Sequence, residues 1–102
     1  MIIVAGTLRV AADDRDRYLA AVAGVAVQAR RAPGCLDFVQ AADPLDPERI
    51  NIYERWESDA DLARFRDADD LDAPEPDVPE PEVPAVLGAE VRRYRISSVE
   101  DP

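Results

Sequence analysis

The chain has 102 residues, a length that suits one small domain, and a formal net charge of −10. It holds one cysteine and no histidine, which excludes an intramolecular disulfide and leaves no ordinary Cys/His ligand set for zinc. The acidic balance and small basic clusters argue against a nucleic-acid partner. Because no apolar run reaches the length of a membrane span and the first residues lack a secretory pattern, we expect a cytoplasmic protein without a metal or membrane contact.

The first third of the chain predicts a strand followed by a helix. Residues Ile2 to Val10 indicate a strand with apolar side chains on both faces. Asp13 or Asp14 is expected to cap a helix that runs to about Ala32 and ends at Pro33-Gly34. The buried stripe of this helix is predicted to contain Tyr18, Val22, Val25 and Ala29.

The next stretch, GCLDFVQAADPLDPERINIYERWESDADLARFRD from Gly34 to Asp67, predicts strand, turn, strand and helix in close succession. In the first of these strands the alternation places Cys35 with Val39 and Ala41, and Leu36 with Phe38. The turn is expected at residues 43–47, where two prolines and two aspartates favour a tight connection. A second strand covers residues 48–57. Ser58 and Asp61 form a predicted capping box for the helix that follows.

An acidic, proline-rich segment follows at about residues 69–84, with seven acidic residues and five prolines. Proline removes backbone donors and like charges repel, so we expect an extended or disordered excursion from a single domain spanning residues 1–102. The segment is either a solubilising loop or a strap that covers a site or binds a partner. The last strand is predicted within residues 86–98.

The predicted order β-α-β-β-α-β is typical of the ferredoxin-like α+β fold, a four-stranded antiparallel sheet with two helices on one face. Two helices cover only one face, yet the first strands and Tyr53 carry apolar side chains on the other face as well. A monomer would expose a large apolar patch, and packing two sheets together would cover it. The sequence therefore predicts a homodimer formed sheet to sheet.

The same residues carry a family resemblance. The run PGCLDFVQAADPLDPERINIYERWESDADLARF resembles the core of the antibiotic biosynthesis monooxygenase (ABM) domain family, and its most specific part is Glu54-Arg55-Trp56-Glu57-Ser58. The resemblance extends from Ile2 to Asp67 and, less closely, over the last strand. It implies a dimeric α+β barrel, in which two ferredoxin-like sheets pack together.

The resemblance also implies a function. Members of the family include monooxygenases that oxidise quinols or aromatic polyketides without a cofactor, and haem-degrading relatives. The family usually carries a further helical segment, often with a histidine, where this chain has its acidic segment. Without a histidine, a haem-degrading role that depends on an axial imidazole is disfavoured. We therefore expect a small aromatic substrate and no cofactor.

Three residues are candidates for the site. Trp56 could stack on an aromatic ring or lie in the core. Glu54 should point toward the helices, where its carboxylate would either form an ion pair with Arg93 or Arg95 or act as an acid-base group. Asn51 matches an asparagine that the family uses near the tryptophan, but the odd spacing from Trp56 places it on the opposite face unless a bulge intervenes.

The residues leave other functions open. The alternative to a monooxygenase is a non-catalytic small-molecule-binding or regulatory dimer of the same fold, which the missing histidine and the replaced helical segment favour. An isomerase or lyase on the same barrel would need an acid-base pair, and none can be located in the sequence.

Overall fold

The computed structural model describes residues 1–71 and 84–102 and confirms the predicted fold. Its strands and helices follow in the order β1 (Ile2–Arg9), α1 (Arg15–Arg31), β2 (Cys35–Ala42), β3 (Arg49–Trp56), α2 (Asp59–Leu71) and β4 (Gly88–Arg95). The four strands form one antiparallel sheet in the order β2-β3-β1-β4. This is the ferredoxin-like arrangement that the alternation of strand and helix patterns predicts.

The register of the sheet defines which side chains share a face. Ile2 lies opposite Trp56 on β3 and Arg95 on β4, and Val4 lies opposite Glu54 and Arg93. Paired residues point to the same side of a sheet, and this side faces the helices. The main core cluster contains Ile2, Val4, Ala29, Phe38, Trp56 and Leu62. The core therefore lies between the sheet and both helices.

Local sequence signals fix two of the four helix ends, the end of α1 and the start of α2. After α1, Gly34 adopts a φ of 83°, which a residue with a Cβ rarely tolerates. At the start of α2, the Asp61 amide donates to Ser58 Oγ at 3.1 Å and the Ser58 hydroxyl donates to Asp61 Oδ2 at 2.8 Å. The predicted cap by Ser58 is confirmed, but Asp61 accepts its hydrogen bond from the Ser58 hydroxyl and not from the Ser58 backbone amide as in a capping box. The arginines Arg30 and Arg31 occupy the last turn of α1 as expected.

The predicted aspartate cap of α1 is wrong in detail. Asp14 is the residue before the helix, but its side chain makes no capping hydrogen bond. A short 3-10 turn at Ala12–Asp14 precedes α1, and Asp14 has a helical backbone conformation (φ −98°, ψ −13°). Its carboxylate instead accepts a hydrogen bond from Arg17. A residue already within a helical turn is not in the extended conformation that capping requires.

A bulge in β2 corrects the predicted faces of its first residues. The pairing shifts between Cys35, which lies opposite Trp56, and Asp37, which lies opposite Arg55. Leu36 is the extra residue, and 43% of its surface is exposed. Cys35 therefore shares the helix-facing side with Phe38, and not the face of Val39 as the simple alternation predicts.

The acidic segment lies mostly outside the described residues. Helix α2 extends to Leu71, so the first three residues of the predicted excursion are helical. Residues 72–83 are outside the described part, and their extended conformation stays a prediction. Among the described helices, none is long and apolar enough to cross a membrane.

Candidate functional site

Glu54 and Trp56 form a buried pair near the end of β3, on the face toward the helices. Trp56 is 0% exposed and Glu54 is 9% exposed. The indole Nε1 donates a hydrogen bond to Glu54 Oε1 over 3.1 Å. Residues two apart on a strand share a face, so the regular geometry of β3 accounts for this contact.

Trp56 is a core residue. Its ring centroid lies 5.3 Å from that of Phe65 on α2, with an angle of 33° between the ring planes. Phe65 also meets Phe38 edge to face, with centroids 6.4 Å apart. The indole N–H is already used by Glu54. Trp56 therefore joins β3 to α2 and orients the carboxyl beside it.

Glu54 is the carboxyl of this region that can accept a proton. Burial raises the pKa of its carboxyl, and the Trp56 hydrogen bond and the charge of Arg66 only partly offset that rise. Its neighbours in register are Val4 on β1 and Phe38 on β2, which offer no charge. A carboxyl in such a setting accepts a proton more readily than an exposed one.

The predicted ion pair of Glu54 with the last strand is wrong. Arg93 and Arg95 both bind Asp59, with Nη1 to carboxylate oxygen distances of 2.7 and 2.6 Å. Hydrogen bonds from Arg95 and then Arg93 lower the pKa of Asp59. Strand β1 separates β4 from β3, so an arginine of β4 would have to cross Val4 to reach Glu54. Asp59, the first residue of α2, is the carboxylate that these arginines reach instead.

Asn51 lies away from this pair. Its Nδ2 donates to Asp43 Oδ1 at 2.9 Å, and its Oδ1 accepts from Arg49 Nε at 2.7 Å. The register of β3 is continuous on the β1 side, so no bulge brings Asn51 to the face of Trp56. Five residues of strand also put the two about 16 Å apart. The parity argument is confirmed, and Asn51 anchors the β2–β3 turn.

The turn explains why Asn51 is held so firmly. Asp43 Oδ2 accepts hydrogen bonds from the amides of Leu45 and Asp46, at 3.0 and 2.9 Å. The Asn51 hydrogen bond, followed by those two amides, lowers the pKa of Asp43 to about 2. Arg15 Nη1 donates to the Asp46 carbonyl at 2.7 Å and ties α1 to the same turn. The predicted tight connection is therefore a hydrogen-bonded aspartate turn.

Two residues of the site are absent from the sequence-based candidates. Asp59 binds the arginines of β4, and Arg66 supplies the cation whose charge acts on Glu54. In the sequence, Asp59 has the position of an ordinary acidic residue in the first turn of a helix, which hides its second role. Arg66 directly follows Phe65, but only the packing of α2 on the sheet identifies the group it faces.

The described side chains contain no cluster of three or more His, Cys, Asp or Glu residues that could hold a metal ion. The titratable side chains beside Trp56 are Glu54 and Cys35, and the pKa of the Cys35 thiol is raised by burial and then by the charge of Glu54.

Solved structures share this fold. A candidate antibiotic biosynthesis monooxygenase from Deinococcus radiodurans is 18% identical, with a TM-score of 0.73 over 100% of this chain and 98% of that one. The haem degrader MhuD from Mycobacterium tuberculosis, solved with two haems in its active site, is 18% identical, with a TM-score of 0.68 over 99% and 100%. A candidate antibiotic biosynthesis monooxygenase from Chloroflexus aurantiacus is 24% identical, with a TM-score of 0.65 over 98% and 96%. At these identities the likeness establishes the fold alone.

Comparison with curated protein sequences finds no match. The family model described as antibiotic biosynthesis monooxygenase matches residues 1–73, which include β1, α1, both strands of the central hairpin and all of α2. The matched part thus contains Glu54, Trp56 and Phe65, although their identities do not by themselves define an activity. The chain belongs to the antibiotic biosynthesis monooxygenase family.

Proposed function

We propose that the protein is a cofactor-independent monooxygenase of a quinol or an aromatic polyketide-like small molecule. The observation that carries the proposal is the buried carboxyl of Glu54. Burial raises its pKa, and the Trp56 indole donates a hydrogen bond to one of its two oxygens. Membership of the monooxygenase family supplies the reaction class. The substrate class is the one that the resemblance to the family implies.

In this reaction the substrate supplies the electrons. A phenol transfers its proton to the Glu54 carboxylate, and the resulting phenolate reduces dioxygen and combines with it at a ring carbon that bears hydrogen. The carbon-bound peroxide takes back the proton from Glu54 and loses water together with the hydrogen of that ring carbon, so that one oxygen atom becomes a quinone carbonyl and the other leaves in water. Substrate and dioxygen thus give quinone and water, with no further reductant.

The proposed roles of the residues differ. Glu54 is the base, and its raised pKa brings its proton affinity closer to that of a phenol. Trp56 is a positioning residue, because its N–H fixes one carboxyl oxygen and its ring is packed against Phe65. Asn51 acts only by holding the β2–β3 turn.

Oxygen uptake tests the proposal. A panel of hydroquinones and anthrones is offered to the wild type, to Glu54→Gln and to Glu57→Gln, the exposed neighbour that serves as the matched control. We expect uptake by the wild type and the control, and a loss of about 100-fold or more in kcat for Glu54→Gln. Uptake with no member of the panel would rule out the proposed reaction, and full activity of Glu54→Gln would rule out Glu54 as its base.

A non-catalytic small-molecule-binding or regulatory dimer is the second candidate. It is favoured by the complete burial of Trp56 and by its contact with Phe65, which occupies the ring face that a substrate would need. Trp56 is the single tryptophan, so its fluorescence reports on ligand binding without turnover. Saturable quenching by an aromatic ligand, without oxygen uptake, would support this candidate.

We also propose that two copies pack sheet to sheet. The face opposite the helices carries Ile3, Ala5, Val39 and Tyr53 by register, and Tyr94 beside them is 50% exposed. The same face holds Arg55, whose Nε is buried without a hydrogen-bond partner among the described residues. A clean monomer at micromolar concentration in light scattering would contradict the dimer. A cytoplasmic location stays a prediction from the sequence.

A further inference from the structure

A groove between α1 and the edge strand β2 is a part of the described surface that the proposed reaction does not use. Its volume is about 440 Å³, and it is open to solvent along α1 and the edge strand β2. The lining is apolar along the helix and polar at one end: Leu19, Val22, Ala26, Val27, Arg30, Arg31 and Gln40. Val27 is 51% exposed, and Gln40 Oε1 is buried without a hydrogen-bond partner among the described residues. The groove thus offers an apolar surface next to two cations.

The residues after β4 have the complementary character. From Ser97 to Pro102 every residue is exposed, and Val99 is an apolar side chain with 72% of its surface in solvent. Glu100 and Asp101 follow it directly. Just before this segment, the Ile96 amide donates to the Met1 carbonyl at 3.0 Å and holds the chain at the end of the sheet.

We propose that residues 97–102 of a second copy lie in this groove, with Val99 on its apolar lining and Glu100 and Asp101 beside Arg30 and Arg31. The inference rests on the sheet-to-sheet dimer proposed above and adds the contact that links each copy to the edge of the other. It is an exchange of segments, one in each direction, as the symmetry of a two-fold dimer requires.

The register of the sheet supports an exchange between copies. Strands β2 and β4 are the two opposite edges of one sheet, so the segment after β4 starts far from its own groove. When two sheets pack face to face about a two-fold axis parallel to the strands, the β4 edge of one copy lies across from the β2 edge of the other. One row across the sheet contains Cys35, Trp56, Ile2 and Arg95. The first residue of β2 and the last residue of β4 therefore lie at the same end of the sheet. Arg31, the last residue of α1, comes shortly before that end of β2.

Charge favours the same pairing. Arg30 and Arg31 take part in none of the ion pairs among the described residues, although the chain as a whole carries −10. Arg30 Nε donates to the Phe38 carbonyl oxygen at 2.9 Å. This hydrogen bond uses a backbone acceptor on the free edge of β2 that an added strand would need. The segment is therefore expected to bind through side chains in the groove and not as an added strand along that part of β2.

A charge exchange tests the ionic contact. Arg31→Glu and the double variant Glu100→Arg/Asp101→Arg should each raise the Kd of the dimer several-fold in sedimentation velocity, and the combined variant should restore it to within about twofold of wild type. Arg31 is chosen because its side chain makes no hydrogen bond or ion pair among the described residues, so its replacement should not disturb folding. Arg17→Glu, an equal charge change at an exposed site on α1, controls for overall repulsion, because the exposed ion pair of Arg17 with Asp14 that it removes should contribute little to stability. If the combined variant has a higher dimer Kd than either separate variant, the inference is wrong.

A cross-linking experiment tests the contact independently of charge. Val27→Cys and Val99→Cys are made separately in a Cys35→Ser background, mixed, and treated with a short bifunctional thiol reagent. The control mixture contains Ala12→Cys, at an exposed site near the start of α1, in place of Val27→Cys. We expect the yield of covalent dimer to be well above that of the control. Equal yields would refute the exchange. A wild-type dimer without this cross-link would refute the exchange alone, whereas a wild-type monomer would refute the sheet-to-sheet dimer as well.

Discussion

Replacing Glu54 with glutamine should make the protein more stable at neutral pH. The amide keeps the shape of the side chain and an oxygen that can accept the Trp56 hydrogen bond. It removes the negative charge, which is buried beside Val4 and Phe38 and forms no ion pair among the described residues. The variant thus changes the cost of ionisation while it changes the packing little.

The sign and size follow from the pKa. Folding raises the pKa of Glu54, so the folded state favours the protonated form. The wild type pays no ionisation penalty below the unfolded pKa of about 4.3, and the penalty grows as the pH rises until it is complete above the folded pKa. Each unit of rise corresponds to about 1.4 kcal/mol. At pH 7 we therefore expect Glu54→Gln to be more stable than the wild type, and each kcal/mol of that gain would raise Tm by about 4–8 °C.

Thermal and urea unfolding between pH 3 and pH 8 measure this difference. The wild type and Glu54→Gln should converge below about pH 4 and separate as the pH rises. Glu57→Gln, with an exposed side chain on the residue that follows β3, should parallel the wild type. A variant that is less stable than wild type at pH 7, or a difference that does not depend on pH, would show that the carboxylate is well stabilised and that the burial argument is wrong.

Three further outcomes are expected. Trp56→Phe removes the donor to Glu54 and leaves a buried oxygen unpaired, so the free energy of unfolding in urea should fall by about 1–3 kcal/mol. Gly6→Ala should cost at least about 2 kcal/mol in the same assay, because Gly6 has a φ of 156° and a Cβ there would overlap the Glu90 carbonyl oxygen. Asp43→Asn should lower the free energy of unfolding at pH 7. Between pH 7 and pH 2 the free energy of unfolding should fall less for this variant than for the wild type. The reason is that the pKa of Asp43 is lowered to about 2, so its carboxylate stabilises the fold above the unfolded pKa and loses that effect as the pH falls.

The order of elements could be predicted because its signals are local. The cap that Ser58 forms with Asp61 needs only one turn of helix, and its two hydrogen bonds measure 2.8 and 3.1 Å. The end of α1 depends on Pro33 and Gly34, because Ala32 before the proline is already extended (ψ 142°) and Gly34 adopts a φ of 83°. Each signal acts within a few residues of chain, so it can be recognised without knowledge of the tertiary structure.

Parity along β3 predicted the two faces of the site correctly. Glu54 and Trp56 share the buried face, and Asn51 lies on the other, because β3 pairs with β1 without interruption. The same reasoning failed at the start of β2, where the bulge moves Cys35 to the other face. A bulge depends on how two strands meet, and the alternation within one strand contains no sign of it.

The partner of Glu54 could not be predicted because it depends on distances between elements that are far apart in sequence. Arg93 and Arg95 have the right face and the right charge, and the prediction treated charge as sufficient. In the folded chain Asp59 is within 2.7 Å of both, at a site that exposes the pair to water. Exposed ion pairs of this kind contribute little to stability, so they do not relieve the buried carboxyl.

Stability and activity of one variant together separate the two candidate functions. A buried carboxyl with one neutral hydrogen-bond donor makes the folded state less stable at neutral pH than an amide would. If Glu54→Gln gains stability and loses oxygen uptake, the cost of the carboxyl is tied to the chemistry, which is the trade-off expected of an active-site group. If it gains stability while ligand quenching of Trp56 fluorescence is unchanged and neither protein consumes oxygen, the carboxyl serves no reaction and the binding dimer is the better description.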